Sequence, residues 1–179
     1  KDRSTDPAVR PFLRDWAAAR QDRVTLLEND RNLGFIGSVN KGLKEALYRG
    51  DHVVLLNSDA LVPQACASRL IRPIVSQDHV ASVTPMSNDA EIFTVPEICR
   101  RTVLDPGQGD AIDAVARRVS HDAPLPEAPT GVGFCMGLNI AYLRKLPPLD
   151  ERFGRGYGEE VDWCQKARAL GGRHLALPG

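Results

Sequence analysis

Three carboxylates directly follow a glycine-rich segment near the end of the chain. Glycine occupies every second position of residues 154–158, and the acids are Glu159, Glu160 and Asp162. Glycine permits positive φ angles and close approach of a ligand, and a helix N-terminus favours negative charge. The pattern predicts a mobile loop that delivers acids to the start of a helix, where a carboxylate can act as a general base. An ordinary acidic first turn of a helix is the alternative interpretation.

A second group of polar residues ends an apolar run about a hundred residues upstream. Residues 53–56 are consecutive apolar residues, mostly branched, and such a run predicts a strand that is buried on both faces. Asn57 and Asp59 follow the run, at the edge where open α/β sheets bind ligands. Their oxygens are suitable ligands for Mg²⁺ or Mn²⁺. A simple Asx turn at the end of the strand is the alternative.

Length and composition indicate one domain, over residues 1–179. The net charge is zero, with 23 basic and 23 acidic residues, which argues against a nucleic-acid partner. The sequence has no apolar run long enough for a membrane span. Its four cysteines form no Cys-x-x-Cys pair, so we expect reduced thiols in a cytoplasmic protein.

The hydrophobic pattern predicts five strands and five helices. The predicted strands are Val24–Glu28, His52–Asn57, Val80–Pro85, Phe134–Ile140 and Arg173–Leu177. The predicted helices are Ala8–Arg20, Ile36–Arg49, Gln64–Ser76, Asp110–Val119 and Glu159–Leu170. Helix and strand alternate in the first half of the chain, which indicates an α/β fold with a largely parallel sheet and helices on both faces.

Two further residues admit two interpretations each. Trp163 is positioned to stack on a sugar ring or to pack in the core. His174 precedes an apolar run, and a hydrogen-bonded structural histidine is favoured over a site residue because histidine is intermediate in burial.

Five short motifs occur in a defined order along nearly the whole chain. They are residues 32–35 with Asn40 and Gly42, residues 55–59, 84–88 and 131–136, and the glycine-rich acidic run 154–162. Their order and spacing resemble those of the family 2 glycosyltransferases, which have the Rossmann-like GT-A nucleotide-sugar-binding fold. The resemblance implies a catalytic domain that uses a nucleotide-diphosphate sugar with Mn²⁺ or Mg²⁺.

The resemblance also implies roles for the acids. Asp59 matches the metal ligand of the family's Asp-x-Asp motif, and Asn57 stands where the family has the first Asp. Glu160 matches the catalytic base, with a side chain one methylene longer than the usual Asp. Glu159 and Asp162 would then orient the loop or the sugar.

The nucleotide is expected to contact residues from several motifs. Residues 1–6 resemble the family's Asp-Asp-x-Ser-x-Asp segment, so Asp2 would face the base or the ribose. The turn with Asn32 and Gly34 precedes a helix start, which is a ready anion site. We assign Asn32, Gly34, Asn40 and Asn57 to nucleotide binding on this resemblance.

The implied reaction is transfer of the sugar to an acceptor hydroxyl with inversion at the anomeric carbon. A glycan, a lipid-linked molecule or a protein would be the acceptor, as in polysaccharide biosynthesis. A non-catalytic nucleotide- or glycan-binding module of the same fold is the alternative, and the departures at Asn57 and Glu160 favour it. A nucleotidyltransferase is disfavoured, because no glycine-rich loop with Arg and Lys lies near the N-terminus.

Both ends of the sequence resemble cut ends of the family's domain. Family members open with an apolar strand at the nucleotide site and carry a histidine beyond the last strand. We therefore expect this length of chain to be inactive alone and to bind nucleotides weakly. An unpaired sheet edge invites pairing with another chain, so a homodimer through that edge is also expected.

Overall fold

The computed structural model describes residues 6–119, 123–154 and 156–178. The helices are α1 Val9–Ala18, α2 Gly34–Arg49, α3 Cys66–Ser76, α4 Gln108–Val119, α5 Ile140–Leu143 and α6 Glu159–Ala169. The strands are β1 Val53–Leu56, β2 Val80–Pro85, β3 Glu127–Ala128, β4 Cys135–Leu138 and β5 Arg173–Leu177. Short 3₁₀ helices cover Glu91–Phe93 and Glu151–Phe153. Of the helices described, none has the length and apolarity needed to cross a bilayer.

The five strands form one mixed sheet in the order β1-β4-β2-β5-β3. Among the described strands, only β2 and β5 pair in parallel, whereas the other pairings are antiparallel. The prediction of a largely parallel sheet is therefore wrong. The physical reason is that β4 fills the place between β1 and β2 and runs in the opposite direction. β1, β2 and β5 still point the same way, so their carboxyl ends share one edge with the amino end of β4.

The predicted strand Val24–Glu28 is also wrong. Residues 24–29 form no regular secondary structure and run beside α2, where Arg49 donates a hydrogen bond to Thr25 Oγ1 (2.9 Å) and Lys41 donates to the Glu28 carbonyl. A strand exists only when its backbone finds a ladder partner. Among the described strands, the only neighbour of β1 is β4, so residues 24–28 do not extend the sheet.

Helices cover both faces of the sheet, as predicted. Successive residues of β4 point to opposite faces. Cys135 packs with Leu70 and Ile74 of α3 on one face, and Met136 packs with α2, α5 and α6 on the other. This arrangement fixes the N-terminus of α6 above the edge at which β1, β2 and β5 end.

Candidate active site

The loop before α6 has the backbone that its glycines predict. Positive φ angles occur at Gly154 (67°), Gly156 (113°), Tyr157 (72°) and Gly158 (107°). A side chain is strained in this region, which explains the glycines. α6 then begins at Glu159 with all three predicted acids in its first turn, and Tyr157 lies almost fully exposed before them.

Glu159 is the buried acid of the cluster, with only 3% of its surface exposed. Its carboxylate lies under the loop, because a Cβ on Gly156 would stand 3.7 Å from Oε1 and 3.8 Å from Oε2. Oε2 has no hydrogen-bond partner among the described residues. Burial raises the pKa of Glu159, and the charge of Glu160 adds to the shift. The surroundings of Glu159 therefore favour the protonated form more than water does.

Glu160 faces the loop that leads into β4. A Cβ on Gly133 would lie 3.8 Å from Glu160 Oε1 and 3.9 Å from Phe35 Cζ. The absence of a side chain at Gly133 leaves room beside the carboxylate, and the Phe35 ring bounds that room. Glu160 Oε2 is buried without a hydrogen-bond partner in the described part of the chain. Sequence reasoning missed the contact of Phe35, although this residue directly follows Gly34 of a predicted motif.

Asp162 is engaged elsewhere. Its carboxylate pairs with Lys166 one helical turn along α6, and both side chains are partly exposed. Such a pair supports the helix by a few tenths of a kcal/mol. A direct role of Asp162 in orienting the sugar stays a prediction.

The structure brings the two predicted acidic sites to the same loop. The Asn57 N–H donates to the Phe134 carbonyl (2.8 Å), and Phe134 is the residue after Gly133, which faces Glu160. Asn57 and Asp59 lie exposed at the carboxyl end of β1. Residues 133–134 therefore stand between the predicted metal ligands on one side and the predicted base on the other.

The oxygens at the end of β1 fit a magnesium-type ion. The Asp59 carboxylate forms no hydrogen bond or ion pair with any described residue and is exposed. Within the described ranges no three His, Cys, Asp or Glu side chains are grouped as a complete metal site. Mg²⁺ characteristically takes one or two carboxylates and completes its shell with phosphate oxygens and water, and Asp59 with Asn57 has this chemistry.

The turn before α2 has the expected geometry. The Gly34 N–H donates to Asn32 Oδ1 (2.8 Å), which closes an Asx turn at the start of the helix. A Cβ on Gly34 would lie 3.9 Å from the carbonyl oxygen of Gly154, so this turn borders the glycine loop. Contacts of Asn32 and Gly34 with a nucleotide stay predictions, and Asp2 lies outside the described residues.

Asn40 forms a clamp between α2 and a distant loop. Its Nδ2 donates to the Leu149 carbonyl (2.9 Å), and its Oδ1 accepts from the Leu149 N–H (3.0 Å). Leu149 is buried, and the glycine loop begins five residues after it. The geometry favours a positioning role for Asn40, and nucleotide binding by this residue stays a prediction.

We expect Asn40→Ala to lower the free energy of unfolding by about 1–3 kcal/mol, because two buried backbone groups lose their partners. The affinity for UDP should stay unchanged if the amide acts only as a clamp. Urea unfolding and calorimetry measure the two effects. Lys44→Ala, at an exposed position of the same helix, is the control. A loss of UDP affinity without a loss of stability would instead support the predicted nucleotide contact.

Glu159→Gln is expected to stabilise the chain at neutral pH. A carboxyl whose pKa is raised on folding contributes most below its unfolded pKa, and this contribution is lost as the pH rises through the folded pKa. The glutamine variant lacks this loss, so its advantage should grow from about pH 4.3, the usual pKa of glutamate, up to the raised pKa of the folded state and stay constant above it. Urea unfolding between pH 5 and pH 8 checks this, with the exposed Glu151→Gln as control. A pH-independent difference would contradict the assignment.

The sequence model described as "Glycosyl transferase family 2" matches residues 1–146. The chain belongs to this family. The matched range contains Asn57, Asp59 and Gly133, whereas the acids of α6 lie beyond it, so their assignment depends on the geometry described above.

A solved structure shows the same fold. The crystal structure of GalNAc-T7 with UDP, GalNAc and Mn²⁺ superposes with a TM-score of 0.69 at 16% sequence identity, over 99% of this chain and 34% of that chain. The chain thus spans about a third of the length of that relative. The predicted GT-A fold is confirmed, and no curated protein sequence matches the chain significantly.

Proposed function

We propose that this family 2 domain transfers a sugar from a nucleotide-diphosphate sugar to an acceptor hydroxyl with inversion at the anomeric carbon. Family membership supports glycosyl transfer in general. The observation that carries the finer proposal is the position of Glu160. Its Oε1 lies 3.8 Å from where a Cβ on Gly133 would stand, so the glycine leaves a methyl-sized space beside the carboxylate, and the same loop contacts Asn57 of the predicted metal motif.

The proposed reaction needs one base and one leaving group. The Glu160 carboxylate accepts the proton of the acceptor hydroxyl as its oxygen attacks the anomeric carbon. The bond from that carbon to the diphosphate breaks on the opposite face, which inverts the configuration. A divalent ion at Asp59 and Asn57 would supply positive charge for the departing diphosphate. Glu159 is buried in the first turn of α6, with its carboxylate next to Gly156.

UDP-sugars with Mn²⁺ are the first donors to test, because the GalNAc-T7 structure contains UDP, GalNAc and Mn²⁺. A glycan, a lipid-linked molecule or a protein is the proposed acceptor. The four cysteines are free thiols, which supports the proposed cytoplasmic setting. We also propose a homodimer through β1, whose outer edge pairs with no described strand and whose Leu56 is half exposed.

A panel of sugar nucleotides with Mn²⁺, offered to short glycan acceptors, tests the function. We expect one donor to be transferred by the full-length protein, and NMR of the product should show inverted anomeric configuration. Retained configuration would exclude direct attack assisted by Glu160. Tight nucleotide binding without hydrolysis or transfer across the panel would favour the alternative, a non-catalytic nucleotide- or glycan-binding module, for which Asn57 and Glu160 are the departures from the family pattern.

A further inference from the structure

A fully buried histidine joins two strands to the helix that carries the predicted base. His174 of β5 is 1% exposed, and Ser82 of β2 beside it is 0% exposed. His174 Nδ1 lies 2.7 Å from Ser82 Oγ, and Nε2 lies 2.9 Å from the Cys164 carbonyl oxygen of α6. Because a carbonyl only accepts, Nε2 carries the hydrogen, and Nδ1 accepts the hydrogen of the Ser82 hydroxyl. This favours the structural interpretation of His174.

The side chain of Cys164 also accepts a hydrogen bond, from the loop that faces Glu160. The Gly131 N–H donates to Cys164 Sγ (3.2 Å), and Gly131 lies two residues before Gly133. Cys164 lies one helical turn after Glu160, on the same face of α6. Cys164 therefore joins α6, which carries Glu160, to the loop that contains Gly131 and Gly133.

The environment keeps His174 neutral. Burial lowers its pKa, and the positive charge of Arg168 on α6 acts in the same direction. The Trp163 ring packs edge-on against the imidazole at 6.5 Å between centroids, which makes Trp163 part of this core. A neutral imidazole keeps one donor and one acceptor, which is the set that the Cys164 carbonyl and the Ser82 hydroxyl require.

We propose that His174, by its hydrogen bond to Cys164, is a positioning residue that fixes the Glu160 carboxylate relative to the Gly131–Gly133 loop. The catalytic consequence rests on the proposed function, whereas the structural consequence does not. Apolar packing alone tolerates small shifts of a helix, but a satisfied buried polar network permits one arrangement. The Ser82 hydroxyl donates to Nδ1 and thereby keeps the imidazole hydrogen on Nε2. Ser82 therefore supports the hydrogen bond from His174 to Cys164.

Hydrogen exchange of the intact chain tests the structural part. His174→Leu removes both hydrogen bonds, whereas His174→Gln retains a donor for the Cys164 carbonyl. We expect His174→Leu to speed exchange about tenfold or more at the amides of Gly131 and Cys164, and His174→Gln to restore their protection. His52→Leu is the control, because His52 Nδ1 accepts from the N–H of Ile140 in α5 (3.3 Å) and not from a group of α6. Unchanged protection in His174→Leu, or an equal loss in His52→Leu, would overturn the proposal.

Steady-state kinetics test the catalytic part. Misplacement of a catalytic group by about 1 Å can lower the rate by about 10²-fold. His174→Leu should lower kcat about 10- to 100-fold and leave the KM of the donor sugar nucleotide nearly unchanged, with rescue by His174→Gln. If His174→Leu does not fold, Ser82→Ala should show the same faster exchange and lower kcat, to a smaller extent. Absence of turnover in the full-length wild-type protein would refute the proposed function, and the exchange result would still decide the role of His174.

Discussion

Glu160→Gln is expected to lower the turnover of sugar transfer by about 10²–10⁴-fold, the usual contribution of a general base. Glutamine has nearly the same shape as glutamate but does not accept a proton at neutral pH. The affinity for the donor should survive, because the predicted donor contacts at Asn57 and Asp59 lie across the Gly133–Phe134 loop from Glu160. Initial rates and donor binding in the full-length protein measure the two effects separately.

Asp162→Asn is the matched control for this prediction. It also removes one carboxylate from the first turn of α6, but Asp162 is paired with Lys166 and should matter only slightly. A larger loss of turnover from Asp162→Asn than from Glu160→Gln would move the role of the base to Asp162. Equal donor affinity in both variants shows that any difference lies in the chemical step.

Sequence patterns predicted elements best where both faces of an element are buried. The structure confirms the bounds of β2 and β5, whose residues are almost entirely buried. Residues 24–28 have a similar apolar pattern but run beside α2 without a ladder partner, because a hydrophobic pattern alone does not determine strand pairing. The sequence also does not predict that β4 is antiparallel to its neighbours. The position and direction of a strand in a sheet depend on long-range packing, which a local pattern does not contain.

The site shows the same division between local and long-range information. The acids of α6 and the turn at Asn57 were found from local motifs, and the structure brings both to one loop. The contact of Phe35 with the room at Gly133, the clamp of Asn40 on Leu149 and the bond of His174 to Cys164 join separate motifs. No local spacing indicates such contacts, because each residue has an equally good local explanation.

Removing the Asp59 carboxylate is expected to abolish the contribution of Mn²⁺ to donor binding. Mutation of residues that merely hydrogen-bond to metal ligands lowers metal affinity by about 10–100-fold. Loss of the ligand Asp59 itself should therefore weaken UDP binding in the presence of Mn²⁺ by at least about tenfold. In EDTA the wild type and Asp59→Ala should bind UDP equally. Calorimetric titration of the full-length protein with UDP, in Mn²⁺ and in EDTA, measures both affinities.

Two variants make the test of Asp59 specific. Asp78→Ala removes another exposed carboxylate just before β2, at the opposite edge of the sheet, and should retain the full Mn²⁺ effect. Asn57→Asp restores the family's acidic residue and adds a second carboxylate at the end of β1, so it should strengthen the Mn²⁺ dependence. An undiminished Mn²⁺ effect in Asp59→Ala would show that the ion binds elsewhere. A loss of the effect in both Asp59→Ala and Asp78→Ala would instead indicate that overall negative charge, and not a ligand at this edge, attracts the ion.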